Sequence, residues 1–221
     1  MTPSPRDTTA GWKNLPTFVL NEARITRDAG GVVSIPYFRA SGKLHNLQLV
    51  APSGRAWWKH AGRRLLPFGL ESLTDPPHDL GLLIGEGVSD ALALRVAYQW
   101  GYDVIAIPGA NTWRRDWLLW LDPYRVVYVL SDGDPAGDSL AAAIERDRPD
   151  VRIVRMPRGL DARAVLQSEG PAALDLLLEQ SDVEARERDG LRRVYEAMMQ
   201  AETIEDCERL LRGEKEFRDA A

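Results

Sequence analysis

Three short stretches of this sequence put acids where chemistry could use them: Gly85-Glu86-Gly87, Asp132-Gly133-Asp134-Pro135-Ala136-Gly137 and Arg158-Gly159-Leu160-Asp161. Residues two apart in an extended turn point the same way, so the Asp132 and Asp134 carboxylates can face one point. Gly133 lets the backbone turn tightly between them. Carboxylates held that close repel one another unless a cation neutralises them. Hard oxygen ligands with no Cys or His beside them favour Mg²⁺ or Mn²⁺ over zinc, and such ions bridge phosphate oxygens as well as carboxylates. Such a ligand set points to phosphoryl-transfer chemistry. Each stretch also has a plain structural reading. Asp-Gly-Asp-Pro is a common turn, Glu86 is an acid at a helix entry, and Ser89, Asp90 or Asp161 is an N-cap. Joint placement favours the functional reading.

That placement comes from the elements around the acids. From residue 80 onward LGLLIG, DVIAIP, RVVYVLS and DVRIVRM are short apolar runs rich in β-branched residues, as strands buried on both faces are. Between them SDALALRVAYQWG, TWRRDWLLWL and AGDSLAAAIERDR read as helices, the first with Leu92, Val96 and Gln99 beside Ala93, Ala97 and Trp100 at helical period. Strands alternating with helices imply a doubly wound parallel sheet, which binds ligands at the carboxyl ends of its strands. All three acidic stretches follow a strand.

Upstream, a short helix is expected around Leu15–Glu22, then two strands joined by a turn at Ala40-Ser41-Gly42. Val33, Ile35 and Tyr37 alternate on the first strand, and Leu44, Leu47 and Leu49 carry the return. Residues 1–14 read as a flexible end, 15–78 as a basic α+β module, 79–170 as the parallel-sheet domain and 171–221 as charged helices. The apolar stripes of that last segment, Leu174, Leu177 and Leu178 and then Leu191, Val194, Tyr195 and Met198, are expected to pack on the domain; a partner surface is the alternative.

Charge follows the same division. Residues 1–80 carry 10 Lys and Arg against 6 Asp and Glu, and residues 171–221 carry 8 against 14. Residues 39–64 hold Arg39, Lys43, Arg55, Lys59, Arg63 and Arg64 with no acid at all, together with Trp57 and Trp58. A basic, aromatic-bearing front beside acidic strand ends points to polyanion contact next to a metal site. No apolar run reaches the ~20 residues of a membrane helix, and no apolar leader opens the chain, so no membrane partner is expected. The single cysteine, Cys207, excludes an internal disulfide or a cysteine-rich zinc knuckle within these residues. The expected compartment is a reducing cytoplasm.

In combination these motifs resemble a family. IGEGVSDALAL, VLSDGDPAG and MPRGLDARAVL are similar to the glutamate, Asp-x-Asp and downstream aspartate segments of the TOPRIM domain, and IPGANTW to the turn between the first two. The Pro-Ala-Gly after the aspartate pair is closest to the bacterial and phage DnaG-type primase branch. SIPYFRASGKLHNLQLV and LLPFGLESL resemble the basic subdomain that precedes it in primase cores. The resemblance covers roughly residues 30–170. It implies an α/β fold: a Rossmann-like TOPRIM parallel sheet with helices on both faces, preceded by a small basic α+β subdomain and followed by C-terminal helices.

By that resemblance Glu86, Asp132 and Asp134 are the catalytic acids and hold Mg²⁺ or Mn²⁺, with Asp161 a further ligand or water-holder. Lys43, Arg55, Lys59, Arg63, Arg64 and Arg158 guide the single-stranded DNA template and nucleoside triphosphates. The implied activity is a primase-type nucleotidyltransferase making short RNA primers, with a replicative helicase or a separate zinc-binding primase component as further partner. A metal-dependent nuclease and a non-catalytic nucleic-acid- or helicase-binding module are the other readings. Two positions depart from the family pattern: Arg163 stands where a second acid is common after Asp161, and Asp138 where a basic residue is common.

Overall fold

The computed structural model describes residues 12–75, 77–98, 101–201 and 203–212. Gln99, Trp100 and residues 1–11 of the expected flexible end lie outside these. Trp12–Asn14, read from the sequence as part of a flexible end, form a 3₁₀ turn with Trp12 buried in the core. Helix α1 (Thr17–Glu22) follows, then strands β1 (Thr26–Arg27), β2 (Val33–Phe38), β3 (Leu44–Val50) and β4 (Ala56–Trp58). They form an antiparallel sheet in chain order. The β2–β3 connection turns through Gly42 in the left-handed region, at φ 74°.

The second sheet is parallel, with strands β5 (Leu82–Gly85), β6 (Asp103–Ala106), β7 (Val127–Ser131) and β8 (Arg152–Arg155) in the order β6-β5-β7-β8. Its helices are α2 (Val88–Tyr98), α3 (Leu118–Leu121), α4 (Pro135–Asp147) and α5 (Ala162–Ser168). Strand side chains alternate between two cores, as the two-residue period requires. Leu83, Val104, Tyr128, Leu130 and Val154 pack with α2, α5 and the buried face of the antiparallel sheet. Leu82, Ile84, Ile105, Val127, Val129 and Ile153 pack with α3, α4 and Trp117. The helices therefore cover both faces, as the α/β reading requires.

Two details differ from expectation. TWRRDWLLWL is not one helix but two 3₁₀ turns, Ala110–Thr112 and Arg115–Trp117, followed by the single turn of α3. Trp117 is fully buried, and Trp113 donates its Nε1–H to Asp147 Oδ2 at 2.8 Å. Pro123, which has no N–H to donate, stops α3 after its one turn. The second difference concerns β3. Opposite Ile35, Tyr37 and Val33 the register puts Gln48, Asn46 and Val50, so Leu47 and Leu49 share the other face with Pro36 and Ser34. Asn46 is buried, its Oδ1 accepting from the Leu47 and His60 N–H groups at 2.9 and 3.2 Å.

Both sheets, on either side of the boundary expected near residue 78, belong to one compact unit that ends at Leu178. Phe68 exchanges two backbone hydrogen bonds with Ala106, of 2.8 and 3.0 Å, covering the free edge of β6. Buried Asp103 accepts from Thr74 Oγ1 at 2.8 Å and Tyr124 OH at 2.7 Å, tying down the link between the sheets.

Helix α6 (Pro171–Gln200) buries Leu174 and Leu178 in this unit. The residues from Glu179 on, with α7 (Ile204–Leu211), form a second unit. Thr203 caps α7 through the Asp206 N–H. The stripe Leu191, Val194, Tyr195 and Met198, expected to pack, is exposed. Among the described residues no helix is long and apolar enough to cross a membrane.

Candidate functional site

The chain runs from β5 outward to β6 and then returns to β7 on the other side of β5, so the sheet changes direction between β5 and β7. A crevice opens at the carboxyl ends of such strands. Glu86 is the first residue past β5, and Asp132 the first past β7. Local chemistry sets the rest. Asp134 is the N-cap of α4, its Oδ1 accepting from Ala136 and Gly137 N–H at 2.8 and 2.9 Å, with Pro135 at the first helical position. Asp161 caps α5 in the same way, accepting from Ala164 N–H at 2.6 Å. Ser89 and Asp90 lie within α2 rather than capping it; Asp90 is buried, and its Oδ1 accepts from Arg163 N–H at 3.3 Å.

Close backbone approach holds the acidic loops together. A side chain at Gly137 would put its Cβ 2.6 Å from Asp132 O and 3.0 Å from Glu86 Oε2. Gly133 donates its N–H to Leu160 O at 3.0 Å, and Gly159 donates to Gly133 O at 2.9 Å. The loop bearing Asp132 and Asp134 is thereby laced to the loop bearing Arg158, whose side chain is exposed.

Electrostatically these acids form one set. Burial first, then the carboxylates of Asp90, Glu86, Asp161 and Asp134, push Asp132 up to about 8. Asp90 is pushed up to about 6, by burial and then by Asp161, against the opposing pull of Arg163. Burial and Asp134 raise Glu86 as well, against a backbone hydrogen bond from Asp132. Glu86 Oε2 is buried without a hydrogen-bond partner, and every charged neighbour bearing on Asp132 is a carboxylate. An all-oxygen set with an orphaned buried oxygen fits a hard divalent cation. Among the described residues no three such side chains are already gathered as a ligand cage. Asp134 Oδ2 is free of the cap and can still turn toward one.

The raised values carry a sign. The fold keeps protons that the unfolded chain, with aspartates near 3.8, releases, so stability falls as pH rises from about 4 to about 8. Melting curves in a chelator are expected to show that fall. Mg²⁺ is expected to raise the melting temperature more at pH 8 than at pH 6, because a cation replaces the proton. A chelated melting temperature that stays level across this window would contradict the shifts.

Arg163, the departure noted in the sequence, donates to Asp161 Oδ2 at 3.0 Å and so neutralises it. Asp161 is therefore a cap and ion-pair partner first. Asp161→Ala is expected to cost about 1 kcal/mol of stability, the usual loss of a cap, and to leave the Mg²⁺-induced rise in melting temperature intact. Loss of that rise would make Asp161 a ligand instead.

The expected phosphate contacts divide. Lys43, Arg55 and Lys59 are exposed, Lys43 and Arg55 flanking opposite ends of β3, roughly 20 Å apart at the usual strand rise. Arg63 instead donates to His45 O, and Arg64 is ion-paired with Asp116. Alternation along β4 separates the two tryptophans. Trp58 packs edge-on against Tyr37 at 4.8 Å, while Trp57 stays 40% exposed.

A cleft of about 260 Å³ lies between the antiparallel sheet and the strand ends, with Tyr37, Gln48 and Lys13 on one side and Glu86, Ser89 and Pro108 on the other. The sequence reading named neither Gln48 nor Lys13. A polar residue on the inward face of β3, where an apolar one is expected, is the one signal that could have found Gln48.

No protein-family model matches the chain. The Gene 57 protein of Mycobacterium phage D29 is 32% identical over 93 residues, which are 42% of this chain and 59% of that protein. The chain thus spans less than two thirds of that relative's length. Among solved structures, the DnaG catalytic core superposes with a TM-score of 0.63 at 18% identity, covering 90% of this chain and 78% of that one. The DnaG primase catalytic domain bound to single-stranded DNA gives 0.64 at 20% identity, over 79% and 70% of the two chains. The primase fragment of the bacteriophage T7 primase-helicase gives 0.64 at 15% identity, over 75% and 72%. The chain has the fold of the bacterial and phage primase catalytic core.

Proposed function

We propose that the chain is a primase-type nucleotidyltransferase that joins nucleoside triphosphates into short primers on single-stranded DNA. The observation that carries this reading is the switch-point crevice, where Glu86 and Asp132 follow adjacent strands within a mutually repelling carboxylate set. Glu86, Asp132 and Asp134 would hold Mg²⁺ or Mn²⁺, which when bound supplies Lewis-acid stabilisation of phosphate charge. Gly133 and Gly137 keep the acidic loops in close contact, and the Asp134 and Asp161 caps fix them to α4 and α5. Lys43, Arg55 and Lys59, spread over the ends of β3 and β4 rather than gathered at a point, suit the successive phosphates of a template. Arg158 stands beside the acidic loop, where a triphosphate would be held. Trp57 is placed to stack a template base.

The test is incubation with single-stranded DNA, labelled nucleoside triphosphates and Mg²⁺ or Mn²⁺. Short labelled products are expected, lost in a variant without the acids. Shortening of the template without products would assign the site to a nuclease. Bound DNA with neither activity, and none on adding a replicative helicase or a zinc-binding primase component, would make the chain a binding module.

A further inference from the structure

The cleft beside Glu86 contains a cation to which the reaction proposed above assigns no part. Among the described residues that line it, Lys13 is the one basic side chain. The backbone that presents it is strained. Lys13 and Asn14 both adopt left-handed φ values, 55° and 56°, which a residue with a Cβ disfavours. Trp12 and Leu15, buried on either side, anchor the turn, and Leu15 N–H closes it on Trp12 O at 3.1 Å. From the far end of the unit, Gln167 on α5 donates its Nε2 to Lys13 O at 3.0 Å and to Asn14 O at 3.4 Å. Strain of this kind persists only where the surroundings over-determine it, and it concentrates at ligand clamps.

Electrostatics says what such a clamp would hold. At this edge of the sheet four carboxylates, Asp90, Glu86, Asp161 and Asp134, act on a fifth, Asp132. A polyphosphate entering beside them needs a cation on the cleft side. Arg63 and Arg64 are committed to His45 O and Asp116. Lys13 engages no carboxylate among the described residues and shares the cleft with Glu86. We infer that Lys13 positions the triphosphate of the incoming nucleotide, held in place by Gln167. This rests on the primer-synthesis reading and adds to Arg158 a second cation for the triphosphate, on the cleft side of Glu86.

Equilibrium binding of ATP with Mg²⁺, and of adenosine, to the full chain tests this, followed by calorimetry or tryptophan quenching. Lys13→Ala is expected to weaken ATP binding about ten- to a hundredfold, the range of one charge-assisted hydrogen bond, and to leave adenosine binding unchanged. Lys13→Arg should retain most of the affinity. Gln167→Leu, which leaves the lysine and frees its backbone, should weaken ATP binding severalfold. In primer synthesis Lys13→Ala should raise the nucleotide KM by the same factor as the binding loss and change kcat little. Melting temperatures close to wild type show that the variants are folded. ATP binding to Lys13→Ala at wild-type strength would overturn the inference, as would equal loss of ATP and adenosine. Wild-type primer synthesis beside unaltered binding by Lys13→Ala removes only the role of Lys13. Lys13-dependent ATP binding in a chain that makes no primers removes the synthesis reading and leaves the triphosphate subsite.

Discussion

Asp132→Asn and Asp134→Asn are each expected to lower primer synthesis on the order of a thousandfold, while Asp132→Asn raises the melting temperature of the metal-free protein. The loss follows from placing a charge-stabilising ligand at the reacting phosphate, where removing one electrostatic contact typically costs a hundred- to a thousandfold. The gain follows from burial and then the neighbouring carboxylates, which together hold Asp132 near 8: an amide of the same shape needs neither a buried charge nor a bound proton there. Asparagine is the informative replacement at position 134, because its Oδ1 can still accept from Ala136 and Gly137 and preserve the cap on α4. Stability and turnover moving in opposite directions is the signature of a site strained for function. Melting curves in a chelator and a primer assay on the same preparations measure both. Unchanged turnover in Asp132→Asn would dismiss the acid set as the catalytic centre. Reduced stability would show that the carboxylate is structural.

Gly133→Ala is expected to be the most damaging single-methyl change in the site, at about 3 kcal/mol. A Cβ there would lie 2.2 Å from Pro157 O, 2.8 Å from Pro157 C and 2.9 Å from Arg158 Cα. All three atoms are backbone, so no side-chain rotamer relieves the overlap. The two loops must part, which breaks the bonds from Gly133 to Leu160 and from Gly159 to Gly133. In a unit of this size the melting temperature should drop by roughly 6–12 °C, with the Mg²⁺ response lost as the loops separate. Gly159→Ala is the matching control. Its Cβ would meet nothing within 4 Å, although φ is 78°, so only the conformational cost of about 1 kcal/mol applies. Gly133 itself has no left-handed φ, so a loss no larger than that of Gly159→Ala would mean that the close approach of the loops does not set the requirement at 133.

Much of this was legible because it is local. A run such as LGLLIG or RVVYVLS is apolar on both sides, so it must be covered on both, and the helical segments between such runs make the sheet parallel. An acid directly after such a run lies at the carboxyl end of its strand whatever the rest of the chain does. Asp134 and Asp161 as caps are equally local, since a cap needs only the next three residues. The motifs at those strand ends point to the same fold that the solved primase cores display.

What the sequence by itself determined, then, is the parallel sheet, the three acidic loops at its carboxyl edge and the basic character of the preceding module. The tertiary structure alone decided which side chains those loops and that module leave available. Leu47 and Leu49 alternate as a core face would, yet pairing with β2 turns Asn46 and Gln48 inward, because register is set by the partner strand. Arg64 looks like its neighbours in a basic run until Asp116, 52 positions on, neutralises it. Arg163 takes Asp161 in the same way, and the turn carrying Lys13 is held by Gln167 from 154 residues away. Each of these depends on a pairing between distant segments. No local pattern encodes such a pairing, because the free energy that selects it exists only once the chain has closed on itself.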